Sequence, residues 1–233
     1  MIVAAHQPHY LPWLGYLDKV ARADRFVVMD DLQYEAQNFQ NRQRVKLAAG
    51  PHWLTVPLHH AARATRICDR RIDNTGWGGR HHWAARHWRT LVVHYGRAPG
   101  FARRAGVLEA VYRTRWEFLV DLDLHLFDLA RLWLGVTTPI VRASTLRLRG
   151  ARTERILSLC EATGARTYLS GMGGSLAYLD VGMLARAGIS VAWHRFAHPA
   201  HPQQYPRLGF IPRLGFLDHL FNVDAGAADA LAA

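Results

Sequence analysis

The chain has 233 residues, half of them hydrophobic, with 29 Lys+Arg against 18 Asp+Glu and a formal charge of +11. That length and apolar content exclude general disorder, no apolar run reaches the ~18 residues of a membrane-spanning helix, and the first eight residues do not read as a secretory signal. Cys68 and Cys160 stand alone, which excludes a disulfide scaffold and a cysteine zinc site and suits a reducing cytoplasm.

Ile2 to Ala5 is short and apolar and predicts a buried strand, followed by a loop carrying Pro8 and Pro12. Leu14, Leu17, Val20 and Ala21 recur at helical spacing and predict a helix over 14–23, and Arg25 to Met29 predicts a second strand ending in Asp30-Asp31. Strand, loop, helix, strand is the βαβ pattern of a parallel sheet. Two shorter strands, 45–47 and 53–57, flank an expected turn at Gly50-Pro51, and helices near 79–94, 101–113 and 116–134 follow. The α/β rhythm then returns with strand 139–143, helix 153–162, strand 167–169, helix 176–187 and strand 189–193, before an alanine-rich tail expected to fray. The expected architecture is one α/β domain over 1–233, with a parallel or mixed sheet of nucleotidyltransferase or Rossmann-like type and a helical insertion at about 79–135.

The densest segment runs from His6 to Tyr16, between the first strand and the first helix, where ligands bind in open α/β sheets. His6 is a candidate acid, base or neutral donor near pH 7. Gln7 and Tyr10 could orient a substrate, and Trp13 and Tyr16 could stack on a flat ring; a hydrophobic loop around a core histidine is the bland alternative. Asp30 and Asp31 end the second strand, where one could bind a hydroxyl or amine or act as base, or simply cap a turn. Gln40, Asn41 and Arg42 offer two amides and a guanidinium suited to carboxylate or phosphate, or a solvated loop. Ser170 to Ser175 is glycine-dense and suits an anion nest, with Ser170 as a weaker nucleophile candidate because it lacks the G-x-S-x-G frame. The 14 histidines include no HExxH, so no metal site is expected; His82 could line the cleft, and His198 stands beside His201.

In their order, the His6–Tyr16 run, Asp18-Lys19, Asp30-Asp31-x-Gln33-Tyr34, Gln40-Asn41-Arg42, residues 53–57, Tyr168-Leu169-Ser170-Gly171, His198-Pro199 and Leu217-Asp218-x-Leu220-Phe221-Asn222 resemble the WbqC-like family over nearly the whole chain. That resemblance implies a small-group transferase of O-antigen or other biosynthetic clusters, with glycine as the suggested group. Three positions depart from the family pattern: His201 replaces a usual tyrosine, Gly215 replaces a serine, and Val223-Asp224-Ala225 delay an expected glycine. A different C-terminal cap is expected from them. A second, partial resemblance is to the nucleotidyltransferase superfamily, whose His-x-Gly-His motif loses its second histidine here because Tyr16 follows Gly15.

The resulting expectation is a cytoplasmic transferase in which His6 or Asp31 activates an acceptor amine. Lys19, Arg42 and the Ser170–Gly174 loop would hold an anionic donor, with Gln33 and Gly171 also near the substrate. The donor could be an aminoacyl-tRNA, which would give the basic surface a purpose, or the chemistry could use ATP and Mg²⁺; the acceptor is a small or carrier-linked molecule, and no membrane is involved. Of the 29 basic residues only Lys19 and Lys46 are lysines, so at least one is expected to contact substrate or order an aspartate, with arginines such as Arg155 standing as exposed comparisons.

Overall fold

The computed structural model describes residues 1–223; the alanine-rich tail, and with it Asp224 and Ala225, lies outside them. Five parallel strands form the main sheet in the order β5-β2-β1-β6-β7: β1 (Ile2–His6), β2 (Arg25–Val28), β5 (Ile140–Arg142), β6 (Thr167–Gly171) and β7 (Ser190–His194). Strand β1 sits in the middle, pairing Ala5 with Val27 on one side and Ala4 with Leu169 on the other. Its side chains alternate between two cores: Val3 and Ala5 join Val27 and Tyr168, whereas Ala4 joins Phe26, Val28 and Leu169. A strand buried on both faces has no polar side to show, which is why its sequence reads as an unbroken apolar run.

One face carries α5 (Arg152–Thr163) and α6 (Val181–Arg186). The other carries α1 (Leu14–Ala21), the insertion helices α2 (Trp83–Tyr95), α3 (Phe101–Arg113) and α4 (Leu119–Trp133), and α7 (Phe216–Asn222). The strand order runs outward from β1 both ways, to β2 and β5 on one side and to β6 and β7 on the other, and such a switch point is where ligands bind, in the crevice at the strand ends of open α/β sheets.

Strands β3 (Arg42–Leu47) and β4 (Gly50–Thr55) form a separate antiparallel hairpin. The turn falls at Ala48-Ala49 and not at Gly50-Pro51, because Gly50 pairs with Leu47 and Pro51 with Lys46; Gly50 contributes its positive φ of 113° as the first residue of the strand. The helix expected over 176–187 is also broken: a 3₁₀ turn covers Gly174–Ala177, and α6 restarts at Val181 with the Asp180 carboxylate accepting from the Met183 N–H. Asp180 is a strong N-cap in mid-segment, so it ends one turn and begins another.

The insertion docks onto the C-terminal helix through a glycine. Gly100 precedes α3, its N–H donates to the Phe221 carbonyl at 2.8 Å, and a Cβ built there would meet the Leu220 carbonyl oxygen at 2.3 Å. Gly100→Ala is therefore expected to lower unfolding stability by about 2 kcal/mol, read from urea denaturation midpoints. An unchanged midpoint would mean that α3 and α7 can separate freely.

Candidate functional site

The ends of β1, β2, β5 and β6 bring one set of side chains to the crevice. His6 closes β1; its Nδ1–H donates to the Gln7 carbonyl at 3.1 Å, which leaves Nε2 without a protein partner among the described residues. Burial, helped by the nearby Lys19 charge, lowers its pKa to about 4, so the ring is neutral at pH 7. Lys19 reaches up from α1 and donates to the Ala5 carbonyl at 2.9 Å. The residue is only 5% exposed, no carboxylate pairs with it among the described residues, and burial lowers its pKa to about 8. An ammonium has three donors, and this one spends a single hydrogen bond on protein.

The carboxylates nearby serve as struts. Asp30, fully buried, accepts from Arg142 Nε at 2.7 Å and from Ser144 N–H and Oγ at 2.9 and 2.7 Å, joining the ends of β2 and β5. Asp31 is paired with Arg155 of α5, which corrects two expectations: Asp31 is not a free base, and Arg155 is not an exposed arginine. Asp18 accepts from His194 Nε2 at 2.5 Å and Arg22 Nε at 2.8 Å; burial pulls its pKa up, and these bonds outweigh that and hold it below the ordinary value. Ser170 is buried and half-buried Gly171 follows it at the end of β6, two strand positions beyond the Ala4–Leu169 pair.

The segment 31–41 folds over this edge. Gln40 Nε2 donates to Gln7 Oε1 at 2.8 Å while its own Oε1 accepts from the Glu35 N–H, so the Gln7 amide is held in one orientation. Asn41 is tied to the Val56 carbonyl, and Gln33 is exposed, bridging to Arg66. Arg42 bonds the Gln37 carbonyl and lies 4.4 Å over the Trp53 ring, on the hairpin. Trp13 precedes α1 and covers Gly15, where a Cβ would meet its ring at 2.2 Å; Phe196 approaches it edge-on at 5.6 Å. Tyr16 packs edge-on against His6 at 5.1 Å and lies inside the core instead of offering a stacking face.

Four predicted residues belong elsewhere. Tyr10 turns into the insertion, its hydroxyl sharing hydrogen bonds with His87 Nδ1 at 2.9 Å and Tyr112 at 2.8 Å. His82 caps α2, accepting from the Ala84 N–H. Lys46 is fully buried and donates to Gln203 Oε1 at 3.2 Å and the Gly209 carbonyl at 2.6 Å, clamping the hairpin to the returning chain. His198 lies in that returning segment, among Phe196, His201 and Phe210.

Two further residues lie at the edge, and of these only Asp123 escaped the sequence reading. His9 rings meet His6 at 4.7 Å, and burial and His6 push its pKa well below 6.5. Asp123 of α4 is 1% exposed with no partner for either carboxylate oxygen among the described residues, and burial raises its pKa well above the ordinary value. Asp123 and His9 line one small closed cavity with Tyr16 and Pro8. The signal for Asp123 was its place on the apolar stripe Leu119, Asp123, Leu126, Ala130. Among the described residues, no three His, Cys, Asp or Glu converge as metal ligands.

The profile of the WbqC-like protein family matches residues 7–230. The chain is 34% identical over 233 residues to a Mycobacterium tuberculosis (strain ATCC 25618 / H37Rv) protein described as "Uncharacterized protein Rv1507c", covering 98% of this chain and 96% of that one. No solved structure matches. No helix among the described residues is long and apolar enough to cross a membrane.

Asp30→Ala removes one buried partner from Arg142 and Ser144 and is expected to cost about 3 kcal/mol of stability, measured by chemical denaturation. Wild-type stability in that variant would return Asp30 to the pool of substrate-binding candidates.

Proposed function

The chain belongs to the WbqC-like protein family, and from that premise we propose that it is a transferase moving a small acyl or aminoacyl group, glycine being the family's suggestion, onto an amine of a small or carrier-linked acceptor. The supporting observation is the pairing of a neutral His6 and the buried Lys19 ammonium, the first with no protein partner on Nε2 and the second with no carboxylate partner among the described residues. A cation so placed is suited to the anionic part of a donor, and the free imidazole nitrogen to a proton. In the proposed step the acceptor nitrogen attacks the donor's acyl carbon while its proton passes to His6 Nε2. The donor's oxygen or sulfur then leaves and takes that proton, restoring the neutral ring. Gln7, fixed by Gln40, orients the acyl carbonyl. The aspartates take no part in this reading, because Asp30 and Asp31 are committed to arginines.

A second reading, nucleotidyl transfer from ATP with Mg²⁺, is favoured by one observation: His6 and His9 stand 4.7 Å apart directly after the central strand, above Lys19. That set is suited to neutralising phosphoryl charge. Pyrophosphate release from ATP in the presence of an amine or acid acceptor separates it from acyl transfer.

Radiolabelled glycyl-tRNA and a glycyl thioester, each offered with amino-sugar acceptors, are expected to transfer label, and His6→Ala to slow that transfer by about 100-fold or more with only a small loss in thermal stability. If His6→Ala unfolds the protein, His6 is a core histidine and the reading fails. For the free enzyme, kcat/KM is expected to be flat between pH about 4 and about 8. It falls on the acid side as His6 gains a proton and on the alkaline side as Lys19 loses one. An acid limb near 6.5 would place the base on another, unburied histidine.

A further inference from the structure

A cavity of about 500 Å³ opens on the helical insertion, between the loop ahead of α2, the outer side of α2 and the end of α3. Its walls are aromatic: Trp77 of the loop, Trp88 of α2 and Tyr112 of α3. Trp88 is already held flat by stacking on Phe101 and Tyr112, at interplanar angles of 15° and 24°. The loop is wound tight by successive turns, in which the N–H groups of Trp77, Gly79 and His82 donate to Asn74, Gly76 and Gly79. Trp77 and His82 are thereby set in place, with their rings 4.8 Å apart and edge to face.

His82 adds a buried polar group to the aromatic wall. It is 5% exposed, its Nδ1 accepts from the Ala84 N–H, and Nε2 therefore carries the ring proton. That Nε2–H has no partner among the described residues although it is buried. A buried donor left unmade costs free energy; Nε2 is closed to water in the empty cavity, so a guest's acceptor meets it once the Trp77 ring that stands edge-on to His82 gives way. At the rim, exposed Arg89 has no ion pair among the described residues, whereas Arg113 is engaged by Glu109 at 2.8 Å. Arg80 and Arg86 add positive charge close by in the chain.

We propose that this cavity is a nucleotide site, with a purine base against Trp77 and Trp88, a ring nitrogen of that base accepting from His82 Nε2, and its phosphate at Arg89. Flat aromatic walls take any base through its π-face, but a single-ring carboxylate would leave much of the cavity unfilled. The free guanidinium at the rim selects a ligand that is both flat and anionic. Glu109, already neutralised by Arg113, remains as an acceptor for a ribose hydroxyl or an exocyclic amine. The site is separate from the His6 crevice and stands whether or not acyl transfer is the reaction. Tyr112 nonetheless joins the two, since its hydroxyl is bonded to Tyr10 of the loop that follows β1.

The test is calorimetric titration of the full chain with AMP, adenosine, inorganic phosphate and a single-stranded oligonucleotide ending in adenosine. AMP is expected to bind saturably and more tightly than adenosine, and phosphate alone not to bind. Arg89→Glu, a change on an exposed face, is expected to weaken AMP by about tenfold or more while leaving adenosine within about threefold. His82→Asn keeps an N-cap acceptor and is expected to weaken both. Tighter binding of the oligonucleotide than of AMP would assign the site to an RNA end, and the reverse to a free nucleotide. The proposal is overturned if none of the nucleoside-containing ligands saturates at millimolar concentration, or if both variants bind AMP as the wild type does. Circular dichroism and melting of each variant show that a loss of binding is not a loss of fold.

Discussion

Burying the Lys19 ammonium beneath the end of the central strand is the constraint on which the rest of the edge depends. Its folded pKa of about 8, against 10.5 unfolded, means that the charge opposes folding by on the order of 3 kcal/mol at pH 7. Because the folded pKa is the lower one, that opposition is complete below pH 8 and fades as pH rises toward 10.5. A methionine would fill the same space without it. The single bond to the Ala5 carbonyl does fix α1 against β1, yet a neutral donor could serve as well. That cost is the reason for assigning Lys19 to the proposed reaction and not to the stability of the fold. It also acts on its neighbours, since its field is the second cause, after burial, of the depressed His6 pKa.

The carboxylates complete the electrostatic picture by being unavailable. Asp18 is bound by Arg22 and His194, Asp30 by Arg142, and Asp31 by Arg155, so these three acids join strand ends and helices, and burial alone sets the Lys19 pKa. Burial raises the pKa of Asp123 well above the ordinary carboxylate value and so disfavours its charged form. The Lys19 ammonium therefore stands without a carboxylate partner among the described residues. The formal +11 of the chain is a separate matter, carried mostly by dispersed arginines.

The parallel sheet was legible because strands buried on both faces read as short apolar runs, and Val3, Ala4 and Ala5, cut short by Pro8 in the loop that follows, are such a run. Strand ends were therefore placed well, and with them His6, Asp30, Asp31, Ser170 and Gly171 at one edge. Side-chain direction was not legible. Tyr10 lies four residues from His6, yet the two prolines of the loop carry it into the insertion, where it meets Tyr112, 102 residues away. Asp31 and Arg155 likewise pair across 124 residues, a relation that only the docking of α5 creates. Asp123 was hidden by its surroundings: a polar residue in an apolar helical stripe reads as a break in the pattern until the opposing surface is known.

The two lysines that stand out among 27 arginines turn out to be kept for different physical reasons. At Lys46 the buried ammonium meets the Gln203 amide oxygen and the Gly209 carbonyl in a space closed on all sides, and the planar fork of arginine would displace both. The same network contains two of the departures from the family pattern. His201 Nε2 meets Asp218 Oδ2 at 2.9 Å, in company with Gln203 Nε2 at 2.6 Å and the Tyr95 hydroxyl on Oδ1 at 3.0 Å. Gly215 opens the helix that carries Asp218, and a Cβ there would come within 2.9 Å of Gln43 Cγ and 3.0 Å of the Leu11 carbonyl, so a serine would require Gln43 to move. The histidine and the glycine are thus linked through one helix, α7, which sits closer to the hairpin than a serine at its start would permit. Lys46 lies at the hairpin end of that contact. Its role is to hold the returning chain over Trp13 and the first helix, which leaves Lys19 as the lysine whose charge the fold does not need.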